Sequence, residues 1–305
     1  MAKINYANHR FNKMGLAIIQ VANSIIREYQ EQGFNLTLRQ LYYQFVSKEI
    51  IPNTPKMYKT LGDTISNARM AGLVDWSAIV DRTRELRGVT HWNTPEEIVE
   101  AAAQSFKVDK WVGQETRPEV WIEKDALVGV FEGVCRSLDV DYFSCRGYTS
   151  QSEMWEAGRR IFKRFNETGQ TTTILHFGDH DPSGIDMSRD IWDRLKVFIE
   201  GDPDGYGTLV DEVMNFKRVA LHMDQVKGLK LPPNPAKIED PRSSQYISRF
   251  GDKSWELDAL DPKVLVGFVK KHVAECVSDL DAMKKRGAEE TKGQGRIRTA
   301  AKRGL

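Results

Sequence analysis

Asp179 and Asp181 stand one residue apart, directly after an apolar run, in Thr172-Thr-Ile-Leu-His-Phe-Gly-Asp-His-Asp-Pro-Ser-Gly-Ile-Asp186. Alternate residues of an extended segment point the same way, and two carboxylates held together repel unless a cation or a proton lies between them. Hard oxygen ligands of this kind suit Mg²⁺, which takes one or two protein carboxylates and keeps its waters for a phosphate substrate, with Mn²⁺ as a substitute. Glu123 closes another short apolar segment, Glu119-Val-Trp-Ile122, and supplies a third carboxylate. The plainer reading is that Asp179 and Asp181 cap the helix that follows them, as Asp often does.

The elements that position these acids read as strand, helix, strand, helix, strand. Ile174, Leu175 and Phe177 form a short buried strand, Gly178 punctuates it, and Pro182 opens the next helix. Before it come the strand ending at Glu123, a helix over Ala126–Leu138, a strand over Val140–Ser144 ending at Arg146-Gly147, and a helix near Glu153–Phe165. This alternation predicts an α/β domain with a parallel sheet flanked by helices. Glu123 and the aspartate pair then end separate strands at one edge, the carboxyl edge, where open α/β sheets bind ligands. Further on, the pattern predicts a helix over Ile185–Ile199, an exposed loop over Gly201–Gly207, a strand at Val219–His222 and a helix from Pro262 to Met283.

The first part of the chain has a different character. Leu16, Ile18, Ile19, Val21, Ala22, Ile25, Ile26 and Tyr29 give helical spacing over Gly15–Gln32. Thr37-Leu-Arg-Gln40 reads as a capping box, and Leu38, Leu41, Tyr42, Phe45 and Val46 make one apolar stripe on the helix it opens. Tyr43 lies about 130° from the centre of that stripe, with Arg39 one turn away on the same flank, so Tyr42 packs and Tyr43 presents its hydroxyl. A third helix over Lys56–Ala71 completes a helix-turn-helix pattern. Gly72–Val80 then reads as a wing, or Trp76–Leu86 as a fourth helix. Lys56, Lys59 and Arg69 on the third helix are residue types that reach phosphates and base edges, although a small bundle without a DNA role has the same spacing. The polar, proline-interrupted stretch from Gly88 to Arg117 divides a domain over 1–110 from one over 111–305.

The net charge of +1 conceals an uneven distribution. Residues 1–74 hold nine Lys and Arg against four acids, and the chain from Lys284 onward holds eight against two, so both ends can meet a polyanion. For the C-terminal stretch a frayed, solvated tail is an equal alternative. No run approaches the ~18 apolar residues of a membrane span, and the first residues lack a secretory core, which places the chain in the cytoplasm. Cys135, Cys145 and Cys276 are scattered without a C-x-x-C pair, which argues against a disulfide framework or a zinc site and for plain packing. His176 and His180 read as packing residues, and Asp186 as either a further acid of the site or a first-turn helix residue.

Taken together, these motifs resemble the A subunit of topoisomerase VI, its meiotic double-strand-break relatives and its short stand-alone versions. Glu123-Lys124, Arg146-Gly147-Tyr148 and Asp179-x-Asp181-Pro-x-Gly184 are similar, in order, to that family's Toprim motifs. Arg39-x-Leu-Tyr-Tyr43 resembles the catalytic tyrosine motif of its winged-helix domain, and Trp255-Glu-Leu-Asp-Ala-Leu260 a segment near its C-terminus. The resemblance implies a winged-helix domain followed by a Toprim domain, and a DNA transesterase in which Tyr43 attacks a backbone phosphorus and becomes linked to the 5′ end. It further implies that Arg39 binds the phosphate, that Glu123, Asp179 and Asp181 hold Mg²⁺, and that Lys124 and Arg146 contact phosphates. A homodimer on duplex DNA follows from the family, each tyrosine working with the partner's metal, and so does association with the nucleoid. Gln40 departs from the pattern where an acid is common. No Gly-rich ATP-binding module is present, so ATP-driven strand passage would need a separate B-type subunit.

Two other functions compete. A Toprim nuclease of the anti-plasmid or anti-phage kind would hydrolyse DNA with water and without a covalent intermediate, since a fold does not fix a function. A non-catalytic DNA-binding protein would bind duplex without cleaving it under any divalent metal.

Overall fold

The computed structural model describes residues 3–80, 89–203, 207–235 and 242–304. Its first unit is built on helices α1 (Lys13–Gln30), α2 (Leu38–Ser47) and α3 (Pro55–Met70). Each starts where a short polar side chain takes up an orphan N–H: Asn12, Thr37 and Thr54 accept from Gly15, Gln40 and Met57. At α2 the box is reciprocal, with the Gln40 N–H donating to Thr37 Oγ1 (3.2 Å) and the Thr37 N–H to Gln40 Oε1 (2.8 Å), a cap that stabilises by about 1 kcal/mol. The helices close on Ile18, Ala22 and Ile25 of α1, Leu41 and Phe45 of α2, and Leu61 and Ile65 of α3. The segment expected as a wing contributes one bridge, Leu36 to Ile79. Trp76–Ala78 is a single 3-10 turn, so the alternative fourth helix does not begin there, and its remainder over 81–86 lies outside the described residues.

The second unit is a mixed α/β arrangement on a four-stranded parallel sheet. In chain order it comprises α4 (Pro95–Ser105), β1 (Thr116–Ile122), α5 (Val128–Leu138), β2 (Asp141–Ser144), α6 (Gln151–Thr168), β3 (Thr171–Phe177), α7 (Pro182–Glu200), α8 (Val210–Val213) and β4 (Met214–Ala220). Then come α9 (Met223–Gly228), the small ribbon β5 (Asn234–Pro235) and β6 (Lys253–Ser254) with α10 (Ser243–Phe250) between them, α11 (Pro262–Ala274) and α12 (Leu280–Gly304). The two-residue period of the strands sorts the core. Val120, Ile122, Leu175 and Phe177 face α5 and α11, whereas Trp121 and Ile174 face α6 and α7. Among the described residues no helix is long and apolar enough to cross a membrane.

Several boundaries differ from the sequence reading for physical reasons. β4 begins at Met214, not Val219. It is a sheet edge, and its half-exposed run Asn215-Phe-Lys-Arg218 lacks the continuous apolar character of β3. The helix expected to reach Met283 stops at Ala274, because Gln114 Oε1 accepts the N–H groups of Ser278 and Asp279 (both 2.9 Å) and holds the chain in a turn. The basic C-terminal stretch is helix α12, not a tail. It lies on α4 through a two-pronged Arg298–Glu100 pair (both bonds 2.8 Å), a Lys107–Glu290 pair (2.9 Å) and the bare backbone of Gly293 against the Phe106 ring. By packing, α4 thus goes with the sheet unit. The two units meet where α2 lies against a 3-10 turn at Leu257–Ala259.

Candidate functional site

The strand order β2-β1-β3-β4 reverses direction between β1 and β3, so a crevice opens beyond their adjacent carboxyl ends, Ile122 and Phe177. Glu123 and Asp179 sit there, both buried. Glu123 N–H donates to Phe177 O (2.9 Å), and Glu123 Oε2 accepts the Asp179 N–H (2.8 Å). Glycines make this approach available. A Cβ at Gly178 would stand 2.8 Å from Glu123 Oε2, and one at Gly184 would reach the same oxygen at 3.0 Å and collide with Asp179 O. Burial, with the charge of Asp181 nearby, holds the Glu123 carboxyl above the usual range.

Asp181 is the N-cap of α7. Its Oδ1 accepts from Gly184 N–H (2.6 Å) and Ser183 Oγ (3.0 Å), so the plainer capping role holds for this residue. Asp179 does not cap α7. Its Oδ1 accepts the Leu257 N–H (2.7 Å) and its Oδ2 pairs with Lys124 Nζ (2.8 Å). Lys124 also meets Asp258 Oδ2 (2.9 Å) and Glu256 Oε2. Burial opposes its charge, but Asp179, Asp258 and Glu256 together carry its pKa well above the ordinary value.

Arg39 joins this group from the other unit, with Nη2 3.1 Å from Glu256 Oε2 and Nε 3.4 Å from Asp258 Oδ2. Its guanidinium lies 5.7 Å from the centre of the Tyr43 ring. Tyr43 therefore faces the acidic group of its own chain. Its exposure is only 7%, which corrects the expectation that it leaves the core. An isolated helix would expose that flank, but the Leu257–Ala259 turn docks on α2. Burial first, then the Glu256 charge, push the phenol up to about 12, against the opposing pull of Arg39 and Lys124. Beside it runs a groove of about 300 Å³ lined by Arg39, Tyr42, Tyr43, Asn53, Thr54, Pro55 and Tyr58.

The other expected residues divide. Lys56 and Lys59 are exposed on α3. Arg69 is turned inward, stacked 4.4 Å from the centre of the Trp76 ring and donating to Trp76 O (2.7 Å) and Ile79 O (3.3 Å), which corrects its reading as a groove-facing cation. Arg146 is exposed beyond β2 with Nε on Asp125 Oδ1 (3.0 Å). Asp186 pairs with Tyr148, Arg189 and Arg242 and stands outside the central group. His180 bonds Tyr246 (2.7 Å) amid aromatic rings and His176 bonds Ser188 (3.0 Å), both as packing residues. Burial pulls them down to about 4 and about 3. The three cysteines are buried and free.

Three members escaped the sequence reading. Arg218 of β4 wraps the loop after β3, donating to Gly184 O (2.9 Å), Gly178 O (3.0 Å) and Asp179 O. Glu256 and Asp258 were visible as paired acids in Trp255-Glu-Leu-Asp, but nothing local ties them to residues 39 and 124.

The donor set can be tested for a divalent ion. Among the described residues, Lys124, Arg39 and Arg218 face Glu123, Asp179, Asp181, Glu256 and Asp258, a formal excess of two negative charges when all five are ionised, and burial holds the Glu123 and Asp179 carboxyls above their usual range, as a site that awaits a cation would. Asp258 Oδ1 is buried and has no hydrogen-bond partner among them. Charge and chemistry fit a hard dication. No three of the described His, Cys, Asp or Glu side chains form a ready ligand set, and Lys124 stands among three of the carboxylates. Comparison with known protein families, with curated proteins and with solved structures returns no match for the chain.

Proposed function

We propose that the chain is a Mg²⁺-dependent DNA-cleaving transesterase of the kind its motifs resemble, the topoisomerase VI A subunit, with the helical unit as a winged-helix domain and the sheet unit as a Toprim domain. The observation that carries this reading is the meeting of Tyr43 and Arg39 with Lys124 and its carboxylates at the carboxyl edge of the sheet, a meeting within one chain where the resemblance implies one between partners. Tyr43 Oη forms a bond to phosphorus while the bond to the 3′ oxygen breaks. One proton leaves the phenol and one arrives at the 3′ oxygen, so the step is proton-neutral. Arg39 holds the phosphate and stabilises charge developing on it, and Lys124 and Arg146 bind phosphates of the strand. Glu123, Asp179 and Asp181 would hold Mg²⁺ or Mn²⁺, which when bound supplies positive charge for the DNA backbone and the leaving oxygen. Two copies would cut both strands of a duplex at the nucleoid, in the cytoplasm, and strand passage would require a separate B-type ATPase subunit.

Hydrolytic cleavage by the same carboxylates is the second reading, favoured by the burial of Tyr43 and its elevated pKa. One experiment separates them. Supercoiled plasmid is incubated with wild type, Tyr43→Phe and Asp179→Ala in Mg²⁺ or Mn²⁺, quenched in detergent, and run with and without protease. Breaks carrying protein on their 5′ ends, absent from both variants, are expected. Protein-free breaks that persist in Tyr43→Phe and vanish in Asp179→Ala would establish hydrolysis instead. DNA binding without breaks under either metal would leave a non-catalytic DNA-binding protein.

A further inference from the structure

We propose that Glu256 occupies the seat of a DNA phosphate: Arg39 and Lys124 form an oxyanion site that the Glu256 carboxylate holds closed until a phosphodiester displaces it. This rests on the DNA-cleavage reading above and adds to it a built-in competitor for the substrate.

Both cations converge on one oxygen. Arg39 Nη2 is 3.1 Å from Glu256 Oε2, and Lys124 Nζ contacts the same atom. A guanidinium and an ammonium sharing one anionic oxygen is the arrangement that a non-bridging phosphate oxygen takes up from such donors. The two cations come from different units, residue 39 on α2 and residue 124 after β1, so the seat exists only because the units are docked.

Asp179 pairs with Lys124 alone, whereas two carboxylates touch both cations, and they differ in kind. The Asp258 side chain has no exposure and belongs to the 3-10 turn that packs on α2. Glu256 precedes that turn in extended backbone, on a longer side chain that retains 16% exposure. Asp258 is thus part of the wall, and Glu256 is the group that can swing out. Access lies alongside, because Arg39 is half-exposed and lines the groove of about 300 Å³ that also carries Tyr43 and Tyr58. Aromatic walls of this kind accept a base or sugar face, and a strand lying there brings its phosphate to Arg39.

The exchange is also favourable in charge. A carboxylate and a phosphodiester each carry one negative charge, so replacing one by the other leaves no buried cation unpaired, the outcome that makes breaking a buried pair costly. Leaving the seat empty would not have that property. A carboxylate stand-in therefore keeps Arg39 and Lys124 in place when DNA is absent and weakens DNA binding by competition.

The test is binding of a short fluorescently labelled duplex in EDTA, followed by anisotropy across a salt series, for wild type, Glu256→Gln and Glu256→Gln/Arg39→Gln. Removing the competitor is expected to tighten binding about ten-fold and to steepen the salt dependence by no more than about one phosphate contact. The gain should shrink when Arg39 is also removed. Equal affinity and slope for wild type and Glu256→Gln would overturn this inference and leave the DNA reading standing, whereas binding by neither would overturn both. Glu256→Ala, which removes the carboxylate and leaves no amide in its place, is a second variant: it should tighten binding as Glu256→Gln does, and affinity equal to wild type in both would overturn the inference.

Discussion

Lys124 Nζ lies 2.8 Å from Asp179 Oδ2, while the neighbouring residue, Glu123, accepts the backbone N–H of the same aspartate. Successive residues of extended chain point to opposite sides, so one dipeptide at the end of β1 grips Asp179 by both its main chain and its carboxylate. Leu257 N–H takes the remaining oxygen at 2.7 Å. With Arg218 on its carbonyl, the aspartate is fixed at four points from three other segments, which gives the loop after β3 one defined shape.

That arrangement makes Lys124 the keystone of a buried charge group. Lys124→Met leaves Asp179, Glu256 and Asp258 facing one another, with Arg39 still paired to Glu256 and Asp258 and Arg218 meeting Asp179 only at its carbonyl. Breaking a buried pair from one side typically costs 3 kcal/mol or more, so a loss of about 3 kcal/mol is expected from urea unfolding in EDTA. Addition of Mg²⁺ or Mn²⁺ should recover part of it, because a dication neutralises the carboxylates that the lysine has left. A variant as stable as wild type in EDTA would show that the group is solvated and not mutually dependent.

Glu256 sets the acid limit of this group. Burial raises its pKa, but Lys124 and Arg39 outweigh burial and hold it down to about 2, against an ordinary value of 4.5. A carboxyl depressed on folding contributes stability above its unfolded pKa and loses it as the pH falls through the folded one. The contribution, about 3 kcal/mol at most, should be present at pH 6 and disappear between about pH 4.5 and 2. Unfolding of wild type and Glu256→Gln compared over that window checks it: the stability gap between them should narrow towards acid. A gap that is constant with pH would mean that Glu256 is not ionised in the pairs described.

How much of this was legible in the chain depends on how local each signal was. The capping box at Thr37–Gln40, the strand before Asp179 and the helix opened by Pro182 all rest on neighbours in sequence, and each formed. The burial of Tyr43 did not, because it depends on how the helices of the first unit close, in the cluster that holds Leu41 and Phe45, and on the turn at 257–259 that docks on α2. The tie from Arg39 to Glu256 spans 217 positions, beyond any periodicity argument. α12 was hidden for a different reason: Gly287, Gly293 and Gly295 with many charges imitate a solvated tail, yet one of those glycines admits the Phe106 ring.

The loop itself offers a cleaner mutational contrast. Gly184→Ala would drive a methyl group into Asp179 O and to 3.0 Å from Glu123 Oε2, neither of which can yield without losing its own bonds. A cost of about 2 kcal/mol is expected, with loss of any metal-dependent stabilisation. Gly133→Ala, on the exposed side of α5 with open space around its Cβ, should instead stabilise by up to about 1 kcal/mol. Thermal unfolding of both variants with and without Mg²⁺ decides it, and equal behaviour of the two would remove the packing argument for Gly184.

The basic residues of α3 should separate by role in the same manner. Arg69 stacks on Trp76 and bonds two main-chain carbonyls, so Arg69→Met is expected to lower stability by about 2 kcal/mol through the lost stacking and charge-assisted hydrogen bonds. Its effect on DNA affinity, measured below the new melting point, should be small. Lys56 and Lys59 are exposed and three residues apart, hence neighbours on one helix face. Replacing both by Ala should leave the melting temperature within a degree or two, since surface changes of this kind stay within about 0.5 kcal/mol. Duplex affinity should fall at every sequence alike, and its salt slope should drop by about two, one phosphate for each lysine. The reverse pattern, with Arg69→Met abolishing binding in a fully folded protein and the lysine pair without effect, would move the DNA-facing surface off this face of α3 and onto the side where Arg69 meets Trp76.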